Sequence, residues 1–137
     1  MTICIDKKIH NKYKKCLNYN SHILRFGDYG IKSCSFNSLT QLKLLTIEKL
    51  LIKSFKVICK GSNNIKMWNL IQMNSTLTRL SPESRVGKGK GNVYTTFSYI
   101  RPGQILFEFS GVSGIQANLF RRNLKTKIPF QTKLVKR

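Results

Sequence analysis

The stretch Val93-Tyr94-Thr95-Thr96-Phe97-Ser98-Tyr99-Ile100-Arg101-Pro102-Gly103-Gln104-Ile105-Leu106-Phe107-Glu108-Phe109 carries the clearest strand pattern in the chain. Val93, Thr95, Phe97 and Tyr99 alternate with Tyr94, Thr96 and Ser98, the period of two that puts successive side chains on opposite faces. Pro102-Gly103 interrupts the pattern with a turn pair. Beyond it Ile105, Phe107 and Phe109 share one face, and Gln104, Leu106 and Glu108 the other. Two antiparallel strands are predicted. Glu108 has no catalytic partner near it in sequence and reads as a surface or ion-pair residue, not an acid catalyst.

Two helices flank this pair. From Leu39 to Lys60, residues Leu44, Ile47, Leu51, Phe55 and Ile58 recur at steps of three and four and form an apolar stripe facing the core. Lys49, Lys53, Lys56 and Lys60 follow the same steps on the opposite side, and read equally as a solvated or an RNA-facing surface. Ser38 or Thr40 is the candidate N-cap, and Gly61 the stop. The second helix opens at Ser113, which forms a capping box with Gln116, while Val112 and Ala117 fit a hydrophobic staple. Its inward residues are expected to be Ile115, Leu119 and Leu124, with Arg121 and Arg122 off that stripe. Pro129 bounds it before a short strand near residues 130 to 135.

The remaining segments are less periodic. Residues 1 to about 36 read as extended, residues 1–25 forming a basic arm and 26–137 a single domain. Gly27 and Gly30 mark a turn. Ile65 to Ile71 is rich in β-formers around Trp68, which is expected in the core. Residues 73–92 lack any period and read as a long loop, which in a compact domain is functional or disordered.

Within it lies Arg85-Val86-Gly87-Lys88-Gly89-Lys90-Gly91-Asn92. Glycine reaches positive φ without steric cost and admits close backbone approach, while each lysine can neutralise a phosphate. The alternative is a surface loop with incidental lysines. A Walker loop is excluded, because Gly87-Lys88 is followed by Gly89 and has Pro82 five positions before Gly87. A dinucleotide fingerprint would need glycine where Asn92 stands. What fits is a loop for the phosphates of a large polyanion.

Composition points the same way. In 137 residues, 25 Lys plus Arg stand against five acidic residues, a formal charge of +20, while 41% hydrophobic content suffices for one core. Self-repulsion on that scale fits a chain whose partner is a polyanion, and nucleic acid is expected. The longest aliphatic run, Leu50-Leu51-Ile52, is far below the roughly 20 residues needed to span a bilayer. Cys4, Cys16, Cys34 and Cys59 are not spaced with His10 or His22 as zinc ligands and are expected as free thiols. No catalytic residue, metal or cofactor is expected. The N-terminus has no signal-peptide character and is not Arg/Ser-rich like a transit peptide. One alanine, Ala117, beside abundant Lys, Asn, Ile and Phe suggests an AT-rich gene, as organelle genomes often have.

These residues match a known family. The chain resembles the bacterial-type large-subunit ribosomal protein L-sixteen in Arg85-Val86-Gly87-Lys88-Gly89-Lys90-Gly91, in Arg101-Pro102-Gly103-Gln104-Ile105-Leu106-Phe107-Glu108 followed by Gly111-Val112, and in Lys127-Ile128-Pro129-Phe130-Gln131-Thr132-Lys133. It departs at Val86, where the family usually has Met, and at Thr95-Thr96-Phe97, where the family has a tryptophan-containing strand. The family's basic N-terminal segment is echoed only in Lys12-Tyr13-Lys14-Lys15.

The resemblance implies an α+β fold, a small two-layer sandwich of mixed strands with two helices in that family's hammerhead-like arrangement. It implies a structural constituent of the large subunit, bound to large-subunit rRNA beside neighbouring ribosomal proteins, with the loop extended toward the tRNA-binding region near the peptidyl transferase centre. Candidate rRNA contacts are Lys12, Lys14, Lys15, Arg79, Arg85, Arg121, Arg122, Lys133, Lys136 and Arg137. Gly87, Lys88, Gly89, Lys90 and Gly91 form the tRNA-proximal loop. No homo-oligomer is expected. The divergence resembles mitochondrial members more than plastid ones, so an organelle-encoded mitochondrial protein is expected, with the plastid as alternative. Two other classes compete: a free basic nucleic-acid-binding or RNA-chaperone protein, and a phosphoryl-transfer enzyme. The last lacks both a nucleotide motif and clustered acidic metal ligands.

Overall fold

The computed structural model describes residues 7–9, 15–58, 64–83, 87 and 89–137. Among them the chain forms β1 (Tyr29–Ser33), β2 (Asn37–Thr40), α1 (Gln41–Ile58), β3 (Lys66–Asn69), β4 (Ser75–Arg79), β5 (Asn92–Ile100), β6 (Ile105–Ser110), α2 (Gly114–Lys125) and β7 (Thr132–Lys136). One sheet has the order β3-β6-β1-β7 and the other β2-β5-β4. The class is α+β as expected, and every described pairing is antiparallel where mixed strands were anticipated.

The two strands that flank Pro102-Gly103 belong to different sheets. β5 lies between β2 and β4, and β6 between β3 and β1. The turn carries the chain across, held where Gly103 N–H donates to the Ser33 carbonyl and Ser33 N–H to the Gln104 carbonyl, both at 2.8 Å. A hairpin with one wet face would leave Leu106 and Glu108 in solvent, whereas Ile105 to Phe109 are buried without interruption. Cover on both faces, not alternation, decides where β6 sits.

Both helices pack on this framework. α1 buries Leu44, Ile47 and Leu51 as its spacing predicts, with Phe55 and Ile58 packed at the margin. Phe55 meets Phe120 and Phe109 edge-on, at centroid distances of 4.6 and 5.6 Å, within the range where aromatic pairs add to area burial. The outer face of α1 is not purely cationic, since Leu42, Leu45, Ile52 and Val57 are exposed there. In α2 the capping box is present, Ser113 Oγ accepting from Gln116 N–H and Gln116 Oε1 from Ser113 N–H. The expected inward face is corrected: Ala117, Phe120 and Leu124 are buried, and Ile115 is 77% exposed. Residues 115 and 124 are nine apart, a rotation of about 900°, which places them on opposite sides of one helix.

Four further expectations change. Glu108 is fully buried, not on the surface. Its carboxylate accepts from the backbone N–H groups of Arg25, Phe26 and Gly27, the last two at 2.7 and 2.8 Å. Asn18 N–H donates to the Pro102 carbonyl, Ile105 N–H to Ser21, and Leu24 is buried, so residues 18–25 pack on the domain instead of ending a free arm. Gly30 lies within β1, and Gly27 sits against the backbone of Phe109, where an added Cβ would meet the carbonyl oxygen at 2.6 Å. Trp68 is half-buried at the edge of the sheet, stacked on a Phe26 that is 56% exposed.

The long loop expected over 73–92 contains a strand. β4 has too few apolar residues for a hydrophobic alternation, but its backbone pairs with β5 from Ser75↔Phe97 to Arg79↔Asn92. Ser75 and Thr76 are buried polar residues, and Thr76 Oγ1 both accepts from Ile9 N–H and donates to the Lys7 carbonyl. Cross-strand and side-chain hydrogen bonding therefore supplies what hydrophobic patterning does not.

Candidate nucleic-acid interface

The loop between β4 and β5 is narrowed at its base. Gly91 packs so closely on the end of β4 that an added Cβ would lie 2.4 Å from the Arg79 carbonyl oxygen, a contact only glycine permits. Gly87 and Gly89 have φ of 139° and 91°, conformations that L side chains rarely adopt, and nothing lies within 4 Å of where their Cβ atoms would be. Here glycine serves the backbone path and leaves open space around it. Lys90 is exposed, and its carbonyl accepts from Lys8 Nζ at 2.8 Å. The Arg79 guanidinium lies 5.7 Å from the centre of the Tyr94 ring, a cation-π distance. Thus Lys8, Arg79 and Lys90 gather at the mouth of the loop. Arg85 and Lys88 lie outside the described residues.

A second basic region lies between α2 and the approach to β7. Arg121, Arg122, Lys125 and Lys133 line a groove of about 1090 Å³, together with Asn37, Asn118 and Gln131. Along α2, Asn118, Arg121, Arg122 and Lys125 follow the spacing i, i+3, i+4, i+7, which puts them on one face. Arg121 is anchored where its Nη1–H donates to the Thr132 carbonyl, while its buried Nε has no partner. Lys125, Asn118 and Gln131 were not anticipated as site residues; the misphased apolar stripe of α2 concealed the opposing polar one.

The other candidate residues are dispersed. Lys15 Nζ lies 6.0 Å from the centre of the Phe36 ring, which stacks on Tyr99. Lys136 and Arg137 are exposed at the end of the chain, where Arg137 N–H donates to the Asp28 carbonyl. Lys12 and Lys14 lie outside the described residues. Among the described residues no group of three or more His, Cys, Asp and Glu could hold a metal, and no helix is long and apolar enough to cross a membrane. Cys16 and Cys34 are free thiols; Cys4 and Cys59 lie outside the described residues.

A family model described as ribosomal protein L16p/L10e matches residues 5–135. The chain belongs to this family. Among curated members of the L16p/L10e family, it is 42% identical over 127 residues to the large ribosomal subunit protein uL16m of the red alga Chondrus crispus, covering 93% of this chain and 92% of that one. It is 33% identical over 131 residues to the large ribosomal subunit protein uL16 of Thermosipho melanesiensis, covering 96% and 88%. To the uL16 of Fusobacterium nucleatum it is 30% identical over 131 residues, covering 96% and 87%. The L16p/L10e match spans both basic regions, the loop and the groove.

Proposed function

We propose that this chain is a structural constituent of the large ribosomal subunit, binding large-subunit rRNA and extending its glycine-lysine loop toward the tRNA-binding region near the peptidyl transferase centre. The observation that carries this reading is membership of the ribosomal protein L16p/L10e family across residues 5–135. The formal charge of +20 supports it, because only a polyanion offsets such self-repulsion in a compact domain. In this role Lys12, Lys14, Lys15, Arg79, Arg85, Arg121, Arg122, Lys133, Lys136 and Arg137 meet rRNA phosphates. Gly87 to Gly91 give the loop a backbone that RNA can approach, with Lys88 and Lys90 as its cations. The chain supplies position and charge, not chemistry, and neighbouring ribosomal proteins complete its surroundings. The name uL16m of the algal relative and the AT-rich residue usage support a mitochondrial ribosome and an organelle gene.

Sedimentation of the endogenous protein tests the reading. It should co-migrate with the large subunit in high salt, and a wholly free pool would refute a structural role. The loop makes a separate prediction. Each phosphate neutralised releases condensed counterions, so affinity for RNA falls steeply as salt rises. Replacing Lys88 and Lys90 together by alanine should make the logarithmic salt dependence shallower by about one to two units. An unchanged slope would mean that these lysines are merely solvated.

A further inference from the structure

We infer that the groove between α2 and β7 binds a single sugar-phosphate strand of RNA, as a site separate from the glycine-lysine loop. The inference rests on the proposal that the chain binds RNA and names a second place where it does so. Four cations, Arg121, Arg122, Lys125 and Lys133, converge on the groove, and among the described residues no carboxylate lines it. Of the five acidic residues, Glu108 is engaged with the backbone of residues 25–27, Asp28 with Ser110 Oγ and Glu48 with Asn69. Glu83 is exposed between β4 and β5 and does not line the groove, and Asp6 lies outside the described residues. Among the described residues none neutralises the groove, which leaves it open to an anionic partner.

The arrangement favours phosphates over scattered counterions. Lys133 stands directly opposite Lys32 in the β1–β7 pair, a like-charge pairing that is unfavourable across a ladder and adds positive potential beside the groove, although Lys32 does not line it. From Asn118 to Lys125 the helix rises about 10 Å, a length comparable to a few phosphates of one strand at about 3.4 Å each along a duplex axis. Arginine adds a planar fork suited to phosphate oxygens. The groove also presents the amides of Asn37, Asn118 and Gln131. Amides donate and accept hydrogen bonds, as a ribose 2′-hydroxyl does. A surface holding phosphates with cations and ribose with amides is matched to RNA backbone, independently of base sequence.

Two charge-reversed proteins of equal net charge test this, titrated with a fluorescent single-stranded RNA of about 16 nucleotides. Arg122 and Lys125 are exposed on α2, and Lys53 and Lys56 are exposed on α1, so neither pair disturbs the core. Arg122→Glu with Lys125→Glu should weaken binding at least about tenfold and lower the salt slope by about 1.4 units, as expected for two lost phosphates on a single strand. Lys53→Glu with Lys56→Glu should weaken it by less than about threefold, with a slope change under about 0.7. Equal losses from both pairs would show that only total charge matters, and an unaffected groove variant would remove the site; either overturns the inference. RNA binding that survives groove reversal but falls on loss of Lys88 and Lys90 sinks the groove alone. Absence of RNA binding by the unmodified chain would sink the proposed function with it.

Discussion

Replacing Glu108 by alanine should lower the free energy of unfolding by about 3–5 kcal/mol, the range for stripping one partner from a buried charged network. The carboxylate is fully buried on β6, an inner strand of its four-stranded sheet, and accepts from three consecutive backbone N–H groups, those of Arg25, Phe26 and Gly27. Truncation leaves those donors without an acceptor, at about 1–3 kcal/mol for each one kept from water. It also opens a cavity between the 18–27 segment and β6. Glu108→Gln keeps the shape and one carbonyl oxygen, so its loss should fall between wild type and alanine. Urea titration measures both, and amide hydrogen exchange locates the effect at residues 25–27. A Glu108→Ala protein within about 1 kcal/mol of wild type, with those amides still protected, would show that the carboxylate does not hold the segment.

Glu108 also shows where the sequence stops being legible. Alternation in Val93 to Phe109 reveals two strands, but alternation reports only which residues share a face, not how many faces are covered. The cover for the second face of β6 comes from about 80 residues upstream, where residues 18–27 have no period to betray them. The contrast between helices has the same origin. In α1 the apolar stripe is long and regular, so its burial is readable. In α2 three leucine-class residues stand at positions that rotation cannot bring together, and the true face runs through the small Ala117 to Phe120. β4 escaped notice because Ser75 and Thr76 are held by hydrogen bonds. The basic loop was legible from its glycine spacing alone, whereas the α2–β7 groove required the tertiary meeting of residue 37 with residues 118–133.

Removing residues 87–89 should leave stability almost unchanged, while Phe120→Ala should cost about 3–5 kcal/mol. Gly87 and Gly89 have open space around them, so shortening the loop there gives up almost no buried apolar surface. Phe120 is fully buried and its ring meets Phe55 and Phe109 at 4.6 and 5.8 Å, joining both helices to the sheet. Its loss should therefore reduce the amount of protein incorporated into subunits, through a larger unfolded fraction. The loop-shortened chain should incorporate normally and fail at a later step. If the loop lies beside bound tRNA, as proposed, particles containing the shortened chain should bind tRNA more weakly despite full occupancy. Quantitative mass spectrometry gives occupancy, and tRNA binding to purified particles gives function. Normal tRNA binding by fully occupied, loop-shortened subunits would remove the loop's role and leave the rRNA-binding fold standing.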